Sequence, residues 1–342
     1  MTHYKLAFLG FGNVGRALAE LLLRKRAELR DERGITFSVT GIATARHGMV
    51  VNPNGLDLSG ALDLLRTGRP LTLLTNSLVS DSLDFIRKCG ADVLFENTPV
   101  NYESGQPAID HVRLALESGM HVATANKGTL VHAYRELRDL AAAKNRRFYF
   151  ESTVMDGAPI FSLFREALPG ATLKGFRGVL NSTTNLILTR MEDGDSFEDA
   201  VRYAQEIGIA ETDPSGDIDG WDAAIKVSAL ATVLMDTPLK PQEVRRTGIR
   251  AITPQMVAQA RAQGKRYKLV CAVRRAAGKL EASVAPELVP VSSPFYGLEG
   301  TSSVIEFQTD VLGDLTVLEA NPGPHTTAYG LLADWLNLAK LA

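Results

Sequence analysis

Glu211, Asp213, Asp217 and Asp222 stand with Lys226 around a proline–glycine loop, in the segment Ala204-Gln-Glu-Ile-Gly-Ile-Ala-Glu-Thr-Asp-Pro-Ser-Gly-Asp-Ile-Asp-Gly-Trp-Asp-Ala-Ala-Ile-Lys226. Asp222 and Lys226 are one helical turn apart, so on a helix their side chains share a face. Glu211 and Asp217 lie upstream in a loop that Pro214 and Gly216 allow to turn sharply. Such a set suits a small, polar, amine-bearing ligand with a proton carrier at its rim. Taken singly, an Asp–Lys pair on a helix is a solvated contact worth roughly 0.3–0.5 kcal/mol, and Asp213-Pro214-Ser215-Gly216-Asp217 reads equally as a solvated turn. The whole spacing carries the reading, so the elements that hold it matter.

The chain opens with a short apolar run at residues 4–9 that ends in Gly10-Phe11-Gly12-Asn13-Val14-Gly15, and residues 16–30 then carry apolar side chains at helical spacing. Strand, glycine turn and helix in that order are the signature of a Rossmann-type nucleotide-binding domain. Gly10, Gly12 and Gly15 divide the tasks of turning tightly, admitting a pyrophosphate to the backbone and packing helix on strand. Asn13 and Val14 open the helix, whose N-terminal N–H groups attract phosphate. A second strand is expected at Phe37–Ala43. Many such folds end that strand in an acid for the adenine ribose, but residues 42–47 read Ile-Ala-Thr-Ala-Arg-His. Without a carboxylate to repel a 2′-phosphate, and with Arg46 to pair with one, the reading leans to NADP over NAD. Arg46 as a plain loop residue would leave the choice open.

Residues 92–99 read as a buried strand ending in a polar turn at Thr98, residues 110–117 as the start of a helix closed near Gly119, and residues 121–125 as a strand followed by Asn126 and Lys127. Ligands of open α/β sheets gather at the carboxyl ends of strands, which gives Thr98 and Lys127 to the cofactor or substrate. Residues 174–181 form a further strand, followed by the amide and hydroxyl cluster Asn181-Ser182-Thr183-Thr184-Asn185, which can cap a helix. A helix from Ser196 stops at Gly208, and another continues past Lys226 to about Leu234. Residues 265–310 alternate like antiparallel strands. The chain is thus read as α/β, with a Rossmann-type domain over 1–150, an α+β substrate and dimerisation domain over 151–318, and a segment 319–342 returning to the first.

Composition fits this plan. At 342 residues there is room for two domains, and 45% hydrophobic with 22% charged residues suits a globular protein. A net charge of −2 offers no basic surface for nucleic acid. The N-terminus enters a strand at once and shows no secretory signal. Cys89 and Cys271 have no Cys-x-x-Cys partner, which speaks against a disulfide framework or zinc site and fits a reducing cytoplasm.

The segment 204–226 resembles the signature of the homoserine dehydrogenase family at Ala204, Gly208, Ile209, Ala210, Asp213, Pro214, Asp217, Ile218, Gly220, Asp222 and Lys226. Thr124-Ala-Asn-Lys127 is similar to a family motif whose lysine reaches the active site. Glu151-x-x-Val154-x-Asp156-Gly157-Ala158-Pro159-Ile160 resembles the segment where the family's oxygen atoms hold a monovalent cation such as Na⁺, which implies Glu151, Val154, Asp156 and Ala158 as ligands. Asp156 departs from the small neutral residue expected there, Ser182 from a glycine, and Thr326 from a proline in the tail motif, where Gly323 and Thr327 match. No regulatory domain is expected after Ala342.

The resemblance covers essentially the whole chain. It implies a homodimer and reversible hydride transfer between a nicotinamide, NADP or NAD, and the carbon that joins L-aspartate 4-semialdehyde to L-homoserine. Lys226 becomes the proton donor for the developing alkoxide, Asp222 its orienting partner or a substrate ligand, and Lys127 a second positive charge. Glu211 would receive the substrate's α-ammonium, with Asp217 and Thr183 beside it. Gly208 and Gly323 join Gly10, Gly12, Asn13, Val14, Gly15, Arg46, Thr98 and Lys127 on the cofactor side. Two other readings stand: a related amino-acid or semialdehyde oxidoreductase, or an NADPH-sensing binding protein without turnover. The intact Glu211, Asp222 and Lys226 argue against the sensor.

Overall fold

The computed structural model describes residues 1–75, 77, 79–276 and 278–340. The chain divides into two units, Met1–Pro159 together with the residues from Gly323 onward, and Ile160–Pro322.

In the first unit, β1 (Thr2–Leu9) is buried from Leu6 to Leu9 on both faces, as a central parallel strand must be. It leads through the glycine turn into α1 (Asn13–Arg33), which stops where Gly34 adopts the left-handed conformation. β2 (Ile35–Thr44) and β3 (Gly48–Val51) form a hairpin, followed by α2 (Leu58–Arg66) and α3 (Ser82–Lys88), capped by Asp57 and Asp81. β4 (Val93–Glu96), α4 (Ala108–Glu117), β5 (His121–Thr124), α5 (Lys127–Ala143) and β6 (Phe148–Tyr149) complete the run. The sheet order is β3-β2-β1-β4-β5-β6, parallel except for β3. The chain order reverses between β1 and β4, so their carboxyl ends, with Leu9 opposite Glu96, border the crevice where such sheets bind ligands. Gly10 sits there with φ +94°, and a Cβ on it would collide with the Asn97 carbonyl. Only glycine lets the two strand ends close this tightly.

The second unit holds β7 (Leu173–Val179), α6 (Ser182–Glu192), α7 (Phe197–Glu206), α8 (Ser215–Ile218), α9 (Trp221–Leu234), β8 (Arg245–Arg246), α10 (Pro254–Ala262), β9 (Lys265–Ala276), β10 (Lys279–Pro290), β11 (Ser303–Thr309) and β12 (Asp314–Glu319). Its sheet runs β12-β11-β7-β9-β10-β8, antiparallel except for the short β8, which lies parallel to β10. Helices α6, α9 and α10 pack against β9. The mixed sheet matches the α+β expectation.

Two cations on β9 fasten the unit internally. Arg266, buried with Glu192 of α6, donates to both oxygens of that carboxylate and to the Tyr296 carbonyl (2.9 Å). Lys268 is 0% exposed; its Nζ donates to Asn185 Oδ1 (2.8 Å) and to the Leu298 carbonyl. Burial, then the charge of Arg266, pulls the Lys268 ammonium down from 10.5 to about 8. The unfolded chain therefore binds more protons than the folded one between about pH 8 and 10.5, and stability rises with pH across that window, by at most about 3 kcal/mol. Chemical denaturation of wild type and Lys268→Met at pH 7.5 and pH 10 should show the wild type gaining on the variant at the higher pH. A constant gap would refute the assignment.

The last helix, α11 (Pro324–Ala339), belongs to the first unit. Trp335 is fully buried and meets the edges of Tyr4 and Phe37 at 5.9 and 5.8 Å between ring centroids. Ala328, Leu331, Leu332 and Leu338 enter the same core cluster as β1 and α1. Residues 151–159 join this unit through hydrogen bonds to α11, for the Glu151 N–H donates to Asp334 Oδ2 (2.8 Å) and the Ser152 hydroxyl to the Thr327 carbonyl (2.7 Å).

Candidate active site

The acid–lysine set is built where β7 ends and α9 begins. Pro214 cannot donate an N–H, and the Asp213 carboxylate accepts from the Ser215 N–H (3.0 Å), so residues 215–218 close into the helical turn α8. Asp217 therefore rides a helical turn and not the open loop its sequence suggested. Gly220, with φ +79°, then redirects the chain into α9, which sets Asp222 in its first turn and Lys226 one turn on. Asp222 and Lys226 are 13% and 14% exposed and 3.1 Å apart, so their pairing is far from the solvated contact of an ordinary surface helix. Lys226 Nζ also donates to the Leu180 carbonyl at 2.6 Å, just past the end of β7 and next to Asn181.

Asn181 organises the cluster. Its Nδ2 donates to Asp217 Oδ1 (2.7 Å) and Asp222 Oδ2 (3.0 Å), while its Oδ1 accepts from the Thr184 N–H (2.8 Å) and caps α6. Thr183 is buried, its hydroxyl donates to the Ile209 carbonyl (3.4 Å), and it also lies close enough to Asp217 to favour that carboxylate. Burial first, and then the Asp222 carboxylate, push the Asp217 carboxyl above the usual carboxylate range, against the hydrogen bonds of Asn181 and Thr183 and the charge of Lys226. A carboxyl of raised proton affinity, with a second carboxylate and an ammonium beside it, can hold and pass a proton. Behind them Cys271 is buried, and its thiol is pushed up to about 12, which leaves it inert.

Thr183, Asp217, Asp222 and Lys226 thus come together. Glu211 stands outside this hydrogen-bonded group: it is exposed, and its carbonyl accepts from Gln205 Nε2 (3.2 Å). Gly208, also exposed, ends α7. Asn181 was visible in sequence only as one of several helix-capping candidates, since nothing in the linear order shows that its amide reaches across to both carboxylates.

In the first unit, Gly10, Gly12 and Gly15 form the turn from β1 to α1, with Asn13 and Val14 opening the helix. A cavity of about 220 Å³ against the first turns of α1 is lined by Asn13, Arg16, Ala17 and Glu20, by Leu62 and Arg66 of α2, and by Pro324 and His325 of α11, so two helix N-termini reach it. Gly323 precedes α11, where the Thr326 hydroxyl accepts from the Gly323 N–H (2.9 Å) and so caps the helix start. That explains a threonine in place of proline. Both polar side-chain atoms of Asn97 are buried with no partner among the described residues, beside Gly10. An orphaned amide at the crevice between β1 and β4, above a glycine cradle, fits a dinucleotide. Thr98 follows, with its N–H donating to Glu96 Oε1 (3.2 Å), and Lys127 is the first residue of α5 behind the cap Asn126. Arg46 is exposed in the turn from β2 to β3.

The residues matching a cation site sit on the turn after β6. Glu151 and Val154 are buried, the Ala158 N–H donates to the Met155 carbonyl (2.8 Å), and Asp156 adopts φ +46°. Its carboxylate accepts from the Thr327 hydroxyl on α11, which accounts for an acid at this place. Among the described residues, no three His, Cys, Asp or Glu side chains gather as a metal site.

A glycine cradle at a topological switch point in one unit, and a half-buried acid–lysine cluster in the other, define a nicotinamide-dependent oxidoreductase. Comparison with known proteins agrees. The family description "Homoserine dehydrogenase, NAD binding domain" matches residues 10–151, and "Homoserine dehydrogenase" matches residues 159–336. An NAD(+)-dependent homoserine dehydrogenase of Pseudomonas canavaninivorans is 38% identical over 100% of this chain and 98% of its own length. The homoserine dehydrogenase of Methanocaldococcus jannaschii is 36% identical over 97% and 98%. A crystal structure of homoserine dehydrogenase from Thermoplasma acidophilum superposes with a TM-score of 0.85 at 26% identity, covering 99% of this chain and 100% of that one. The chain belongs to the homoserine dehydrogenase family.

Proposed function

We propose that this enzyme reduces L-aspartate 4-semialdehyde to L-homoserine, reversibly, and that Lys226 serves the proton. The observation that carries this is the Asn181–Asp217–Asp222–Lys226 cluster, a proton store held in place by one amide. A bound nicotinamide would supply the hydride. Lys226 would polarise the carbonyl and release a proton as charge grows on its oxygen. Asp222 holds the ammonium in register, and Asp217, with its raised proton affinity, takes up or returns a proton beside it. Glu211, on the loop leading into α8, is the proposed partner of the α-ammonium, with Thr183 at the same edge. Lys127 is proposed to add a positive charge for the substrate's carboxylate or oxyanion.

For the cofactor, Gly10, Gly12, Asn13, Val14, Gly15, Thr98, Gly208 and Gly323 are the proposed contacts. Preference for NADP is supported by the absence of an acid at residues 42–47 and by Arg46 standing exposed in the following turn. A Na⁺-type cation on oxygens of Glu151, Val154, Asp156 and Ala158 is proposed from their shared turn. Leu318, Val311 and Leu312, exposed on β12 and the turn before it, support a homodimer. Among the described residues no helix is long and apolar enough to cross a membrane, and the two unpaired buried cysteines support a cytoplasmic location.

The test follows NADPH and NADH oxidation with L-aspartate 4-semialdehyde, for wild type and Arg46→Ala. Turnover is expected with both, with kcat/KM for NADPH falling about tenfold in the variant and that for NADH unchanged. Wild type that binds cofactor and leaves this aldehyde untouched would move the assignment to another carbonyl or to a sensor.

A further inference from the structure

Glu96 ends β4 with 0% exposure, after the buried apolar residues Val93, Leu94 and Phe95. Packing alone would be met there by another apolar side chain, and a buried carboxylate is retained only where hydrogen bonds offset its desolvation. Its bonds form a closed ring. Oε1 accepts from the N–H and the hydroxyl of Thr98. The Thr124 hydroxyl faces both Oε2 (3.0 Å) and the Glu96 main-chain carbonyl (2.9 Å), and its oxygen accepts from the Asn126 N–H at 2.9 Å. Asn126 Nδ2 donates back to the carbonyls of Thr98 (3.0 Å) and Pro99 (3.3 Å), while its Oδ1 accepts from the Gly128 N–H (3.0 Å). That last bond caps α5, whose first residue is Lys127. On its remaining side, His111 Nδ1 lies 3.5 Å from Glu96 Oε1, and His111 Nε2 is 2.8 Å from Ser82 Oγ.

The two loops joined by this ring leave the carboxyl ends of β4 and β5, the edge where a sheet of this topology meets its ligand. We propose that Glu96 is a positioning residue for the reaction: it fixes the Thr98 hydroxyl and backbone directly, and the start of α5 with Lys127 through Thr124 and Asn126. The inference rests on the reading that Thr98 and Lys127 serve cofactor and substrate. A carboxylate suits the task because it accepts only. Its oxygens cannot swing to donate, so the N–H and hydroxyl of Thr98 are held pointing at it, and the Thr124 hydroxyl has acceptors only on the Glu96 side.

Glu96→Gln keeps the shape and replaces one acceptor by a donor. Cofactor Kd by fluorescence, kcat, aldehyde KM and Tm are compared for Glu96→Gln, Thr98→Val and the double variant. We expect Glu96→Gln to raise the cofactor Kd about tenfold and lower kcat about tenfold, with aldehyde KM within twofold. The double variant should be no worse than the worse single one, since both cut the same link. Unchanged Kd and kcat in Glu96→Gln, whatever its Tm, or additive losses in the double variant, would overturn the proposal. Should Glu96→Gln not fold, Thr124→Val cuts the ring at its other arm, and there an unchanged kcat overturns it. Thr98→Val with wild-type cofactor Kd would instead sink the reading of Thr98 itself, and a wild type inert towards the aldehyde would sink the substrate assignment.

Discussion

Replacing Lys226 by alanine is expected to lower kcat/KM about a thousandfold while leaving cofactor Kd within twofold. The ammonium touches Asp222 at 3.1 Å and the Leu180 carbonyl at 2.6 Å, and it is the positive charge that steadies Asp217. Its loss removes the proposed proton donor and leaves two carboxylates facing each other, so the Asp217 carboxyl should rise further, since Lys226 now holds it down. Lys226→Arg separates the two consequences. It restores a charge, and with it much of the Tm, but the guanidinium does not release protons at working pH, so turnover should stay low. Retention of more than a tenth of wild-type kcat by Lys226→Ala, in single-turnover measurements with saturating cofactor, would remove Lys226 from the chemistry.

Asn181→Asp should be nearly as damaging, for a different reason. The cap on α6 needs only an acceptor and survives, because a carboxylate still receives the Thr184 N–H. What disappears is the Nδ2 donor shared between Asp217 and Asp222, and a third acid takes its place. We expect a loss of about 100-fold in kcat/KM and about 2–4 kcal/mol in stability at pH 7. The pH dependence gives the sign. Crowded acids bind protons more tightly folded than unfolded, so the folded variant carries extra protons below its raised pKa values, and its stability deficit shrinks as pH falls from 7 to 5. Tm measured for wild type and variant at both pH values reads this directly. A deficit that is equal at the two would show that the three carboxylates do not sense one another.

Much of the architecture was legible in the residues. The glycine turn lies between β1 and α1 as its spacing required, and Ser196 and Gly208 bracket α7 as cap and stop. Local rules governed those places, with period, cap and turn all pointing one way. The acid–lysine pair was legible as a pair because α9 makes neighbours of positions four apart. What could not be read was reach across the chain. Asn181 lies far from Asp222 in sequence and serves it through a side chain that a capping rule already explained. Glu96 reads as one more residue of a short strand, and only the register with β5 brings Thr124 against it. The helical turn at Asp217 was missed because Pro214 and Gly216 each signal a turn, and only the Asp213 bond to Ser215 tips the balance to α8.

The nucleotide-binding unit is written in two instalments. Its sheet is complete by Tyr149, yet Trp335, wedged between Tyr4 and Phe37, comes from the far end of the chain. During synthesis the ribosome therefore delivers the whole second unit before the first can close its core. Until then an aromatic slot beside β1 stays open, and a message truncated anywhere before α11 yields a chain with that slot unfilled. A chain lacking α11 would present that apolar slot to the proteases and chaperones that recognise exposed hydrophobic surface.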